Sequence, residues 1–431
     1  MTALFHVPLA LIHVSLAAAL LSAGVSQAQT APVKTTVLDR ILSPWPAGFP
    51  TSAPVSVPGK AVSPAIAPSA SAHVALPAAL GKDAARWTDA GRILAGADPD
   101  ESGDLAALAK LPAVQRHKSI FNNAWAQFET ARLKPAMEFG RAEIAGQPQA
   151  KGTLYYPFSG PDALYALALF SDAPTYVLTG LEPVGELPDL RDLSNDELES
   201  SFAQLRRSLN SIKALSFFQT NHMRAELRAN RFPGVTPILL LFIAKHGYAV
   251  QDVAKVAITP EGTLHDTGKE GHDGLPADRV PGVRIRFHKK GEAQQRTLYY
   301  FRADLSNSGL ATVPQPLKWA ATLAPTACYL KSASYLMHRS EFSQVRDFIT
   351  SQTTMIVQDD SGIPLRHFPQ SQWHRTFYGM YDGPIRLFSA RLQKDLVESY
   401  ANDAKSLDFG IGYDHKSKTS NIQRFIRKAA S

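Results

Sequence analysis

The chain has 431 residues, with 45 Lys and Arg against 38 Asp and Glu, 30 Pro, one Cys and 45% hydrophobic residues. These figures exclude collagen-like, disulfide-stapled and wholly disordered classes, and they leave enough apolar mass for a sizeable core. A formal charge of +7 favours contact with polyanions without singling one out.

Residues 1–28 carry no Asp, Glu, Lys or Arg, and an apolar run from Val7 to Val25 leads into Ser26-Gln27-Ala28. Small residues at −3 and −1 of a cleavage point mark residues 1–28 as a signal peptide cut after Ala28, so a periplasmic or secreted protein is expected, with no transmembrane segment after cleavage. Ile238–Ala244 is apolar but too short to span a bilayer and reads as core. With Cys328 as the sole thiol, stability must come from packing.

Residues 29–80 hold nine of the 30 prolines among Ala, Ser and Val, and form a spacer. A helical segment follows over 81–150. Ala84, Trp87, Ile93 and Leu94 open it, and Ile120, Phe121, Trp125, Phe128, Leu133 and Met137 continue at mixed three- to five-residue steps, with Pro135 as an interruption. Asp98–Asp104 is an acidic turn without the ligand spacing of a calcium loop.

Residues 151–431 make up the α/β domain. Strand character is expected at Thr153–Phe158, Thr175–Glu182, Val253–Thr259, Thr354–Gln358 and Phe409–Tyr413, with a hairpin over Val283–His288 and Arg296–Leu305. Helices are expected at Ala163–Phe170, Asn195–Asn230, Ser332–Thr350 and Ala390–Ala401. The alternation predicts a layered α/β body whose mixed sheet starts with a Rossmann-like βαβ unit, preceded by the helical segment and the Pro-rich spacer.

Three blocks carry candidate chemistry. In the first, Ser159, Gly160 and Asp162 follow a strand and Glu182 ends the next one, the order in which nucleotide-binding units and methyltransferases of that architecture hold a ribose or a methyl donor. One glycine stands where the fingerprint has three, and Asp162 at the helix start repels phosphate while capping the helix.

The second block is Lys331-Ser332-Ala333-Ser334-Tyr335-Leu336-Met337-His338, which on a helix would put Lys331, Ser334 and His338 on one face. A hydroxyl beside Lys or His is a conceivable nucleophile, although the order departs from Ser-x-x-Lys. The third is Gln358-Asp359-Asp360-Ser361 at a strand's carboxyl end, where open α/β sheets bind ligands and paired carboxylates serve as acid and base.

The loop His265–Gly274 has metal-ligand residue types but no zinc spacing, so no metal is expected, and the cofactor stays unknown. Trp373, Phe377, Tyr378 and Tyr381 form either a stacking platform or part of the core.

The blocks Tyr156–Asp162, Leu181–Gly185, Lys331–His338 and Gln358–Pro364, in this order, resemble a group of exported bacterial proteins. The resemblance spans about Gly152 to Arg427, including Phe409–Tyr413 and Ser420-Asn421. It implies an address and a layout, and it carries over no catalytic residue.

Two functions fit these observations. One is an exported protein whose polar cleft binds a small polar molecule or an envelope polyanion, with Ser159, Gly160, Asp162, Glu182 and Ser361 as ligand-binding residues. The other is a hydrolase using Lys331, Ser334 and His338 or the pair Asp359 and Asp360. No specific nucleic-acid partner is expected. Asp162 and Asp359 or Asp360 are expected at one pocket, near Glu182, with Lys331 as counter-charge.

Overall fold

The computed structural model describes residues 82–210, 212, 231–268, 272, 275–289, 291–413 and 419–429. The expected signal peptide and spacer lie outside the described residues, as does most of the expected helix beyond Asn210.

Among the described residues eleven strands form one mixed sheet. They are β1 Thr153–Tyr156, β2 Thr175–Gly180, β3 Tyr248–Ile258, β4 Leu264–Asp266, β5 Val280–Lys289, β6 Gln295–Arg302, β7 Thr326–Leu330, β8 Thr353–Gln358, β9 Trp373–Gly379, β10 Ala404–Lys405 and β11 Asn421–Arg427. Their spatial order is β10-β9-β11-β8-β7-β1-β2-β6-β5-β3-β4. The five central strands, β8-β7-β1-β2-β6, are mutually parallel.

The residue patterns explain this division. Buried on both faces, β7 and β8 are apolar almost without a break, Thr-Ala-Cys-Tyr-Leu and Thr-Thr-Met-Ile-Val-Gln. Outside them the antiparallel hairpin β5–β6 alternates buried with more exposed positions, as a sheet with one wetter face requires. The short β4 and β10 close the two edges and leave little unpaired backbone there.

The helices are α1 Lys82–Leu94, α2 Pro112–Phe128, α3 Ala163–Leu169, α4 Asn195–Ser208, α5 Thr236–Lys245, α6 Asn307–Thr312, α7 Gln315–Ala321, α8 Ser343–Gln352 and α9 Lys394–Asp403. The segment Ile238–Ala244 lies in α5, where every residue from Thr236 to Ile243 is buried. A helix apolar all round belongs inside a core, and each buried Leu or Ile there contributes roughly 1.5–3 kcal/mol. Among the described residues no helix is long and apolar enough to cross a membrane.

Helix α1 is stitched to β3: Thr88 Oγ1 donates to Val250 O at 3.0 Å. The expected helical segment therefore shares one hydrophobic core with the sheet, through Ile93, Leu94, Phe121, Trp125, Leu154 and Leu239 among others. Pro135 does not interrupt it. Helical backbone continues beyond α2 through π-turns at Glu129–Leu133 and Gly140–Ala145, with Lys134–Phe139 between them. A π-turn accommodates the extra residue and the missing donor without ending the helix.

Three expectations are corrected. Lys331–Phe342 is not helical: a loop leads into 3-10 turns at Leu336–His338 and Ser340–Phe342, and the helix starts only at Ser343. Phe409–Tyr413 is not a strand, and the last strand is β11, which inserts antiparallel between β8 and β9. Ala390 and Arg391 end a 3-10 turn, and Leu392 and Gln393 lead from it into α9, so that helix starts only at Lys394.

Candidate functional site

The chain runs from β1 outward through β2 to β6, then returns to the other side of β1 with β7 and β8. The reversal lies between β1 and β7, and a doubly wound sheet binds its ligands in the crevice beyond the carboxyl ends at such a point. Tyr156, Gly180, Leu330 and Gln358 end β1, β2, β7 and β8 there.

Beyond Tyr156 the chain turns through Phe158 and Gly160, both at positive φ, and Asp162 caps α3 by accepting from Tyr165 N at 3.1 Å. The other oxygen of Asp162 accepts from Tyr156 Oη at 2.9 Å and pairs with Lys331 Nζ at 2.6 Å. Lys331 also lies 3.9 Å from the centre of the Tyr165 ring. Burial raises the pKa of Asp162 and lowers that of Lys331, and the attraction between them offsets part of both effects. The first turn of α3 is thus occupied by its own carboxylate and is not open to an anion.

Ser159 is buried and donates to Gly160 O at 3.0 Å and Thr179 O at 3.2 Å. Glu182 follows β2 and is buried against the two turns; its carboxylate accepts from Leu181 N at 3.0 Å and Tyr300 Oη at 3.3 Å. The acid that would hold a ribose is therefore already engaged from within the chain.

After β7 the backbone is held by the turn after β8. Ser332 N donates to Asp359 Oδ2 at 2.7 Å, and Ala333 N to Ser361 Oγ at 2.8 Å. Ser334 N donates to Tyr413 Oη at 3.0 Å. These side-chain acceptors replace the carbonyls of a helix, and Ser332, Ser334 and Tyr335 take up left-handed φ of 51–52°. Each left-handed residue costs about 1–2 kcal/mol, which the captured amides offset.

The two acids point to different neighbours, as adjacent residues on an extended chain do. Asp359 holds Ser332 and Ser361, whereas Asp360 accepts from Tyr335 Oη and from Asn421 Nδ2 at 3.0 Å. Asp360 N donates back to Asn421 Oδ1 at 2.8 Å, so β11 closes the site. Burial raises the pKa of Asp359. Burial and the adjacent Asp359 push Asp360 up to about 7.

The structure thus brings Asp162, Lys331, Asp359 and Asp360 to the carboxyl edge of three neighbouring parallel strands, with Glu182 beyond the fourth. All five are buried, so they form a polar network beneath the surface and not the lining of an open cleft. Ser332, Ser334 and Tyr413 are the partly exposed groups above it.

Ser334 Oγ meets Tyr413 Oη at 3.0 Å while Lys331 turns to Asp162, and without a helix the shared face of Lys331, Ser334 and His338 does not exist. His338 is half-buried edge-on against Tyr335, with ring centres 5.0 Å apart. Burial, then the positive charges of Arg391 and Arg366, lower its pKa to about 4.

Among the described residues no group of three or more His, Cys, Asp or Glu could hold a metal ion. Asp266 of the expected loop instead pairs with Arg284 at 2.8 Å. Trp373, Phe377, Tyr378 and Tyr381 are buried and belong to the core. The acidic turn borders a depression of about 920 Å³, also lined by Arg92 and Lys110, which shares no residue with the carboxyl-edge network.

Sequence reasoning missed Tyr413, Asn421 and Phe388 as parts of this edge. The Phe388 ring lies tilted 4.7 Å from that of Tyr335 and 5.4 Å from that of Tyr413, centre to centre. The signal for Tyr413 and Asn421 was present, since both lie in the terminal motifs that accompany the three blocks. No family model, curated protein or solved structure matches the chain.

Proposed function

We propose that the chain is an exported protein that binds a small polar or envelope-derived ligand at the carboxyl edge of its parallel strands. The observation that supports this reading is the loop Ser332–Tyr335. The amides of Ser332, Ala333 and Ser334 are captured by Asp359, Ser361 and Tyr413, and Ser332, Ser334 and Tyr335 are left-handed, over a buried network at the reversal point of the sheet. Strained backbone held by surrounding side chains is the kind of preorganisation found at ligand clamps. Ser334, Tyr413 and Phe388 would meet the ligand, while Asp162, Lys331 and Asp359 position them.

A thermal-shift screen of sugars, amino acids, nucleotides and cell-wall fragments, followed by hydrogen exchange, tests the reading. A true ligand protects Ser332–Tyr335, and Ser334→Ala weakens it. Protection confined to other segments would place the ligand elsewhere and defeat the proposal. Export is tested by sequencing the N-terminus of the released form, which should begin at Gln29.

A second reading, a hydrolase, is favoured by one observation: Asp360 is held near neutrality in contact with Tyr335, close to the range useful for general acid–base work. The Ser–Lys version is disfavoured by the partners of Ser334 and Lys331. Hydrolysis of any screened ester, glycoside or phosphoester that survives in Asp360→Asn would remove Asp360 from the chemistry.

A further inference from the structure

Three short 3-10 turns meet beside Asp360, and each carries basic side chains at its end: Leu336–His338 followed by Arg339, Leu365–His367 with Arg366, and Arg386–Arg391. Their proximity is built in. Gln393 accepts from Leu365 N at 2.9 Å and reaches Asp360 O at 3.5 Å, which ties the second turn to the third. Phe388 lies on Tyr335 at 4.7 Å, which ties the third to the first. Arg346 of α8 reaches under the first turn, donating to Met337 O at 3.0 Å and Arg339 O at 3.3 Å.

The carboxylates near this cluster, Asp360, Glu341 and Asp347, are outnumbered by the four arginines Arg339, Arg346, Arg366 and Arg391. Arg346 has Asp347 at 3.6 Å, but no described carboxylate lies within ion-pair distance of Arg339, Arg366 or Arg391. His338 Nε2, His367 Nε2 and Arg339 Nε are buried donor or acceptor atoms without a hydrogen-bond partner among the described residues. Unpaired cations crowded around buried, unsatisfied nitrogens are unfavourable unless something else satisfies them.

From this geometry we infer that His338, Arg339, Arg366, His367 and Arg391 form a binding site for a phosphoryl oxyanion. Guanidinium groups match a phosphate fork in both geometry and charge, and imidazole nitrogens complete its acceptor sites. The electrostatics agree. His367 is lowered to about 4 by burial, then by Arg346 and Arg366, with Asp347 opposing; His338 responds to Arg391 and Arg366 in the same way. A bound dianion would oppose the arginines' part of these shifts. The assignment rests on the ligand-binding reading above and names the chemistry of its ligand.

Calorimetric titration of the full chain with inorganic phosphate, against chloride at matched ionic strength, tests it. Saturable binding is expected, weakened about tenfold by Arg366→Gln and by Arg391→Gln, because each removes a charge-assisted hydrogen bond. Arg366 is exposed, so its variant should keep the fold, which near-ultraviolet dichroism checks. In the unmodified protein, phosphate should also shift the ring signals of His338 and His367. Vesicles of phosphatidylglycerol against phosphatidylcholine identify the source. Binding only to the anionic vesicles, lost in both variants, supports a lipid phosphoryl headgroup, whereas binding of inorganic phosphate supports a free phosphorylated ligand. No saturable binding to either, or binding unchanged in both variants, overturns the inference. A ligand that protects Ser332–Tyr335 while phosphate leaves both histidines unmoved would overturn this inference alone and leave the ligand-binding reading intact.

Discussion

Lys331 Nζ sits 2.6 Å from Asp162 Oδ2, with both side chains 2% exposed, and this one contact joins the end of β7 to the first turn of α3. It spans the reversal point of the sheet, so the crevice that a doubly wound fold offers to a ligand is closed at its floor by an ion pair. Removing one member leaves an uncompensated charge in a dry setting. Lys331→Met or Asp162→Leu alone should lower stability by about 3–5 kcal/mol, read from urea unfolding. The double replacement should recover most of that loss. If the double variant were as unstable as the worse single one, the pair would be more than a mutual compensation of two buried charges.

The β1 and β2 turns approach so closely that a side chain at Gly180 has no room. A Cβ there would lie 2.4 Å from Glu182 Oε2 and 2.8 Å from Gly160 Cα. The second neighbour is backbone and cannot rotate away, so Gly180→Ala should cost about 1–3 kcal/mol. Gly146 supplies the control, since a Cβ there meets nothing within 4 Å at an ordinary φ. Gly146→Ala should be neutral or stabilising by about 0.4–1 kcal/mol. Equal losses at both positions would count against the packing argument.

What was legible in the chain was what local chemistry decides. The strand–turn–helix–strand run from Thr153 to Gly180 is announced by its alternation of apolar segments and by Asp162 as a cap, and it forms as read. The carboxyl-edge placement of Asp359 and Asp360 follows from the apolar strand before them. Lys331–Phe342 could not be read this way. Its composition suits a helix, and only amide acceptors supplied by Asp359, Ser361 and Tyr413, 27 to 79 residues distant, hold it in a loop. Phe409–Tyr413 fails as a strand for a related reason. Gly412 is at φ 72°, and a Cβ there would lie 2.5 Å from Asp359 Oδ2, so the segment is shaped to cover the carboxylate. The basic cluster was invisible because its members come from three separate turns.

Tyr413 is the roof of the Ser332–Tyr335 loop: it accepts from Ser334 N and donates to Ser332 O at 2.9 Å. Tyr413→Phe removes both bonds and the contact with Ser334 Oγ while keeping the ring contact with Phe388. A partly buried amide and carbonyl then lose their partner, at a cost of about 1–3 kcal/mol. The Ser334 amide should exchange faster, by roughly tenfold or more, with little change in the β7 amides. Uniformly faster exchange across the sheet would mean that Tyr413 supports the whole fold and not this loop.

The last prediction concerns Asp360, whose carboxyl is pushed up to about 7 by burial and by Asp359, from an ordinary value of 3.8. A carboxyl with a raised folded-state pKa binds its proton more tightly when folded. Its contribution is fully present below the unfolded value and is lost as pH rises towards 7; above that the loss is complete and constant. Between about pH 4 and 7 this group therefore lowers the stability of the folded chain with a slope of up to about 1.4 kcal/mol per pH unit. Asp360→Asn removes the proton equilibrium while keeping an acceptor for Tyr335 and a partner for Asn421. Denaturant unfolding at half-unit pH steps should show the variant gaining on the unmodified chain from pH 4 upward, with the difference flat above about 7. Asp359 and Asp162 are also raised by burial and remain in both proteins, so a residual slope of the same sign should persist in the variant. Parallel stability curves for the two proteins across this window would show that Asp360 is ionised throughout, and would remove the basis for assigning it acid–base work.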